Sequence, residues 1–207
     1  MENTIKVLVL NASLKHGSDS EPSSTEELSQ LVLDNMSSIG VIESEIIRLA
    51  DYQIDVGLKL KESETDQWPS IAEKIKSTDA VIFATPIWWG QRSSLLQRII
   101  ERMDAFDEEA NAGGRSALLN KVAGVVITGS EDGAQQILGS VLEVLTFMNF
   151  TIPPQACAYW VGEVGQPPKE DRVKRQANKA TQHMASSLAK SLMYYAKLLK
   201  EHPMPTE

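Results

Sequence analysis

The chain has 207 residues, enough for one sizeable hydrophobic core and too few for two full domains. Its net charge of -8 and pI near 5.0 disfavour nonspecific binding to nucleic acid or to an acidic membrane surface. The first residues carry no basic leader or small-residue cleavage site, and nowhere do eighteen apolar residues follow one another, which predicts a soluble, cytoplasmic protein with no membrane segment.

The single cysteine, Cys157, lies in an apolar stretch and reads as core, and His16, His183 and His202 stand too far apart for zinc or triad spacing, so no metal is expected. Charge is unevenly placed. Residues 169–200 carry eight Lys/Arg against two acids, a net of +6 that leaves -14 on the remainder. A solvated helix surface explains this stretch, with attraction for an acidic partner as the other reading.

In chain order, Ile5-Lys6-Val7-Leu8-Val9-Leu10 predicts a buried strand ending in the turn-prone Asn11-Ala12-Ser13. Leu28, Leu31/Val32, Asn35/Met36 and Ile39 recur at helical spacing after two overlapping capping boxes, Ser23 with Glu26 and Ser24 with Glu27. Residues 43–49 predict a strand near a sheet edge, and residues 50–67 a polar, irregular loop.

Pro69 opens a short helix, and residues 80–85 form the clearest buried strand, with Pro86 expected to stop its ladder. An amphipathic helix follows over 94–106, burying Leu95, Ile99, Met103 and Phe106 with Arg98 and Arg102 outward. Further strands are expected at 122–128 and 155–160, a helix at 134–148, and one long closing helix from about Val173 to Leu199 before a frayed tail. Alternating strands and helices predict a single α/β domain over residues 1–200, built on a parallel, doubly wound sheet, with 201–207 as a disordered tail.

Such a sheet binds ligands beyond the carboxyl ends of its strands, which directs attention to three loops. The first lacks both the G-x-G-x-x-G and the G-x-x-x-x-G-K-[ST] fingerprints. It instead offers the hydroxyls of Ser13, Ser23, Ser24 and Thr25 and the ammonium of Lys15 at a helix start, which suits a terminal phosphate. The second, Thr85-Pro86-Ile87-Trp88-Trp89-Gly90, places two adjacent tryptophans where a flat apolar ligand could use them. In the third, Thr128, Gly129, Asp132 and Gly133 surround a turn whose glycines let backbone amides approach a ligand.

Together the loops resemble the NADPH-dependent FMN reductase family, in the branch with iron-sulfur flavoproteins and quinone reductases. The likeness is strongest from Thr85 through Leu96 to Glu101-Arg102, which is similar to the family's proline, hydrophobe, aromatic pair, glycine and a helix ending in Asp-Arg. Gln97 and Glu101 stand where lysine and aspartate are frequent, and the cysteine cluster of the iron-sulfur members is absent. The resemblance implies a flavodoxin-like three-layer sandwich with a five-stranded parallel sheet in the order 2-1-3-4-5. It also implies FMN, with Pro86, Ile87, Trp88, Trp89 and Gly90 along the isoalloxazine ring and Ser13, Lys15, Ser23 and Thr25 at the phosphate.

The implied activity is hydride transfer from NAD(P)H to FMN and on to a flavin, quinone or other small acceptor, in a homodimer or homotetramer. Because the flavin carries the chemistry, no side chain is singled out as catalytic. Two alternatives stand beside it: a flavodoxin-type electron carrier without its own NAD(P)H activity, and a protein of this fold that works through its surface without a cofactor.

Overall fold

The computed structural model describes residues 4–111 and 116–205. Five strands, β1 (Ile5–Asn11), β2 (Ile42–Arg48), β3 (Ala80–Trp88), β5 (Val122–Gly129) and β6 (Cys157–Val161), pair in parallel in the spatial order β2-β1-β3-β5-β6. A two-residue strand, β4 (Gln91–Arg92), pairs antiparallel with the end of β3. The expected order 2-1-3-4-5 therefore holds for the five long strands, and the numbers shift because β4 intervenes.

Alternation along the strands splits the core in two. Ile5, Val7, Val9, Ala80, Ile82 and Ala84 face one way, beneath α1 (Ser24–Ser37) and α7 (Lys179–Glu201). Leu8, Leu10, Val81, Phe83, Val125 and Ile127 face the other, beneath α2 (Trp68–Lys76), α3 (Ser94–Arg102), α4 (Asp104–Asn111) and α5 (Ala134–Phe147). β2 has Ile47 as its one buried residue, as an edge strand with acids on it should.

Several boundaries differ from the sequence expectation. Pro86 does not end β3: it lies in register with Thr128, and the strand runs on to Trp88. The helix predicted over 94–106 breaks between Arg102 and Asp104 into α3 and α4. The long closing helix is likewise two, because Asn178 ends α6 (Pro168–Ala177) in extended geometry and then caps α7 by accepting from the Thr181 amide. The segment after α7 is not left loose within the described residues: the Met204 amide donates to Asn120 Oδ1 at 2.8 Å.

The largest departure concerns Arg102, expected outward but fully buried. Its guanidinium donates to Asp66 at 2.8 Å and to the carbonyls of Asp55 and Leu60, and lies 5.9 Å from the ring of buried Trp68. Burial pushes Asp66 up, yet the amides of Glu62, Trp68 and Asp55, together with Arg102, hold its carboxyl below the usual carboxylate range. The polar loop after β2 is thus organised around a buried ion pair, with Arg98 adding a bond to the Ile54 carbonyl.

Candidate functional site

All five long strands run parallel, so their following loops share one rim of the sheet. There the Ala12 amide bonds the Ala84 carbonyl at 2.8 Å and Ser93 Oγ bonds the Ala12 carbonyl at 2.7 Å, which fastens the first and second loops together. The third joins them through the hydroxyls of Thr25 and Thr128, 2.7 Å apart. Between them opens a cavity of about 320 Å³, within the usual range for small-molecule sites.

Ser13, Lys15, Ser23, Ser24 and Thr25 line it from the first loop. Of the two capping frames open in the sequence, Ser23 is the cap: its Oγ accepts from the Glu26 amide. The amides of Ser24 and Thr25 precede Glu27, which donates the first main-chain bond of the helix, so this end presents the donors of a helix start. Asn11 shapes the strand exit, since its side chain accepts from the Ser13 amide and donates to Glu26, which also pairs with Arg48 at 2.6 Å.

The acids of this loop are turned to other work. Asp19 accepts from the His16 amide, and Glu21 lies 3.7 Å from Lys15. Asp51 receives the Gly17 amide and His16, and chiefly that amide holds its carboxyl below the ordinary value.

Pro86, Ile87 and Trp88 line the cavity from the second loop, and Thr128 and Gly129 line it from the third, next to Thr25. Gly129 fits because a Cβ there would stand 2.7 Å from that of Ile87. Trp89, Gly90, Asp132 and Gly133 are outside the lining. Trp89 and Gly90, with φ of 51° and 74°, are the corner of a tight hairpin between paired Trp88 and Gln91, the left-handed pattern of a type I′ turn. Trp88 therefore closes a strand rather than sitting in a loop, and the Trp89 side chain is 87% exposed. Gly133, at φ 132°, backs onto this hairpin, where a Cβ would meet the Gly90 backbone at 2.7 Å.

Sequence reasoning missed Glu131 and a fourth wall. Glu131 lines the cavity and its carboxylate accepts the Trp89 amide at 2.5 Å. The fourth wall runs from the end of β6 into α6: Trp160, Glu163, Gln166, Pro168 and Asp171. It is tied to the third loop by the Gly162 amide donating to the Gly129 carbonyl, and Trp160 Nε1 donates to Asp171 at 2.7 Å. Arg175 joins Asp171 to Glu27 in the first turn of α1, and Arg172 adds a second pair to Glu27 at 2.7 Å. Gln166 Oε1 is a buried acceptor left without a partner at the cavity wall. The signal for this wall was available, because the last strand reaches the same rim as the other three.

The parallel sheet, the switch-point cavity and the hydroxyl-rich helix start define a flavodoxin-like nucleotide-binding protein, and the sequence settles which. The chain belongs to the NADPH-dependent FMN reductase family, whose sequence model matches residues 5–164. Membership makes it an oxidoreductase with FMN as cofactor and NAD(P)H as co-substrate.

Among its relatives, 8-demethyl-8-aminoriboflavin-5'-phosphate synthase of Streptomyces davaonensis is 30% identical over 212 residues, covering 98% of this chain and 81% of the relative. The crystal structure of RosB with bound 8-demethyl-8-formylriboflavin-5'-phosphate aligns at a TM-score of 0.81 and 29% identity, over 98% of this chain and 83% of that one. An NADH:FMN oxidoreductase, EMOB, in its apo form shares the fold at a TM-score of 0.66 and 18% identity, over 97% and 92% of the two chains. Among the described residues no helix is long and apolar enough to cross a membrane.

Proposed function

We propose that this cavity holds FMN and that the protein passes reducing equivalents from NAD(P)H to a small diffusible acceptor, a flavin or a quinone. The observation that carries the reading is the convergence of three loops on one cavity whose walls differ in chemistry. From the first loop, hydroxyls, Lys15 and helix-start amides match a phosphate monoester; from the second, Pro86, Ile87 and Trp88 offer an apolar wall.

The residues present fit the group in one further respect. The partnerless Gln166 Oε1 at the cavity wall calls for a donor, which a ribityl hydroxyl supplies and a phosphate oxygen does not.

When bound, FMN supplies reversible two-electron chemistry between a nicotinamide and an acceptor. The chain's own part is positional. Ser13, Lys15, Ser23, Ser24 and Thr25 bind the phosphate, Thr128 and Gly129 flank the chain between phosphate and ring, and Trp88 covers the ring. The exposed rim at Leu14 and Trp88 leaves room for a second aromatic molecule to approach. Assembly into a homodimer or homotetramer belongs to the same reading and is supported by the exposed Trp89 and Phe147; light scattering measures it.

Anaerobic titration tests the proposal. FMN-loaded protein should bleach on addition of NADPH or NADH and regain its colour with free flavin or a quinone. A flavin that stays oxidised with both nucleotides would instead favour an electron carrier.

A second reading has a specific observation behind it: the similar RosB holds a flavin phosphate altered at its 8 position. Here FMN would be the substrate. Mass spectrometry of flavin recovered after prolonged incubation decides, and an unchanged mass removes this reading.

A further inference from the structure

Glu131 holds a backbone donor at the edge of the cavity. Glu131 lines the cavity and its carboxylate accepts the amide of Trp89 at 2.5 Å; Trp89 lies just outside the lining, next to Trp88, which is part of it. The donor is held by unusual backbone: Trp89 carries a φ of 51° without being glycine or asparagine, at the corner of a type I′ turn. The polar edge of an isoalloxazine ring is made of carbonyl oxygens and ring nitrogens that want such an amide. A carboxylate already holds it through a charge-assisted bond, stronger than one a neutral carbonyl could make.

We propose that Glu131 is a built-in competitor for the ring edge of FMN, which keeps the flavin exchangeable, so that the site handles flavin as a molecule that comes and goes. The inference rests on the reading of this cavity as a flavin site. Arrival of the ring requires Glu131 to release the Trp89 amide, or else leaves a carboxylate facing the ring's acceptor atoms; either way binding is weakened relative to a site without the acid. Neighbouring charge does not relieve this. The cationic side chain in the cavity lining, Lys15, is on the first loop and faces Glu21.

The test is isothermal titration of FMN into the wild-type protein, Glu131→Ala and Glu131→Gln, with thermal unfolding of each to confirm that the fold is kept. Removing a charge-assisted competitor should tighten FMN binding by roughly tenfold or more in Glu131→Ala. Glu131→Gln, which keeps a weaker neutral acceptor on the amide, should fall between, and flavin release measured by stopped flow should slow in the same order.

Binding in Glu131→Ala that is equal to or weaker than wild type overturns the inference. Weakening in Glu131→Ala with recovery in Glu131→Gln would mean that the acid only braces the hairpin, and also overturns it. Both outcomes leave the flavin reading standing. Failure of wild type and both folded variants to take up FMN at all overturns the reading and the inference together.

Discussion

Arg102 and Asp66 show how much one buried pair can organise. Both side chains are fully buried, and the pair ties α3 to a loop whose buried apolar residue before Trp68 is Ile54. Removing one partner strands a charge in low dielectric, so Asp66→Asn or Arg102→Met should each cost about 3–5 kcal/mol in urea unfolding. The double variant should cost less than the sum. Hydrogen exchange across residues 53–66 should rise in both single variants.

Lys121 makes a different prediction. Its ammonium donates to the carbonyls of Lys76 and Thr78, and burial pulls it down to about 8 from an ordinary value of 10.5. Between those values the unfolded chain binds the extra proton, so this residue's contribution raises stability as pH climbs from about 8 to 10.5. The stability of wild type relative to Lys121→Met should therefore increase across that window, and a flat difference would reject the assignment.

At the scale of elements, the hairpin after β3 and the loop before α5 are fitted to each other. Gly133 has a left-handed φ and no space for a Cβ against Gly90, so Gly133→Ala should destabilise by about 1–3 kcal/mol in urea unfolding and weaken FMN binding by displacing the hairpin.

Elements of this kind mark the boundary of what the sequence made legible. Unbroken apolar runs such as residues 80–85 and 122–128 announced buried strands, and Ser23 with Glu26 announced a helix start, because those signals are local. The break at Asn178 was hidden because Val173 and Ala177 keep helical spacing with Ala180 and Met184 across it. Arg102 was misassigned for a related reason: helical periodicity places a basic residue on the outer face, and only a partner 36 positions away brings it inside. Ten of the fourteen expected site residues line the cavity. The other four belong to the hairpin corner and its backing loop, where backbone geometry rather than side-chain chemistry decides position.

For the whole molecule, the cavity is a junction between parts distant in sequence. Glu27 at the start of α1 is paired to Arg172 and Arg175 of α6, which carries the fourth wall. Breaking it with Glu27→Gln should loosen α6, seen as faster hydrogen exchange over residues 168–177. Flavin should leave faster while overall stability falls by only about 1–3 kcal/mol, because the two cores above and below the sheet are untouched. The unequal charge noted in the sequence belongs partly to this junction, where basic residues of α6 are neutralised by acids of α1 and of α6 itself.

One consequence lies in the placing of the four tryptophans. Trp88 and Trp160 line the cavity, Trp89 stands at its hairpin, and Trp68 is buried against Phe106 beneath the sheet's other face. Intrinsic emission is therefore weighted toward the site. A bound flavin would quench the three near indoles most, so occupancy can be followed in unlabelled protein.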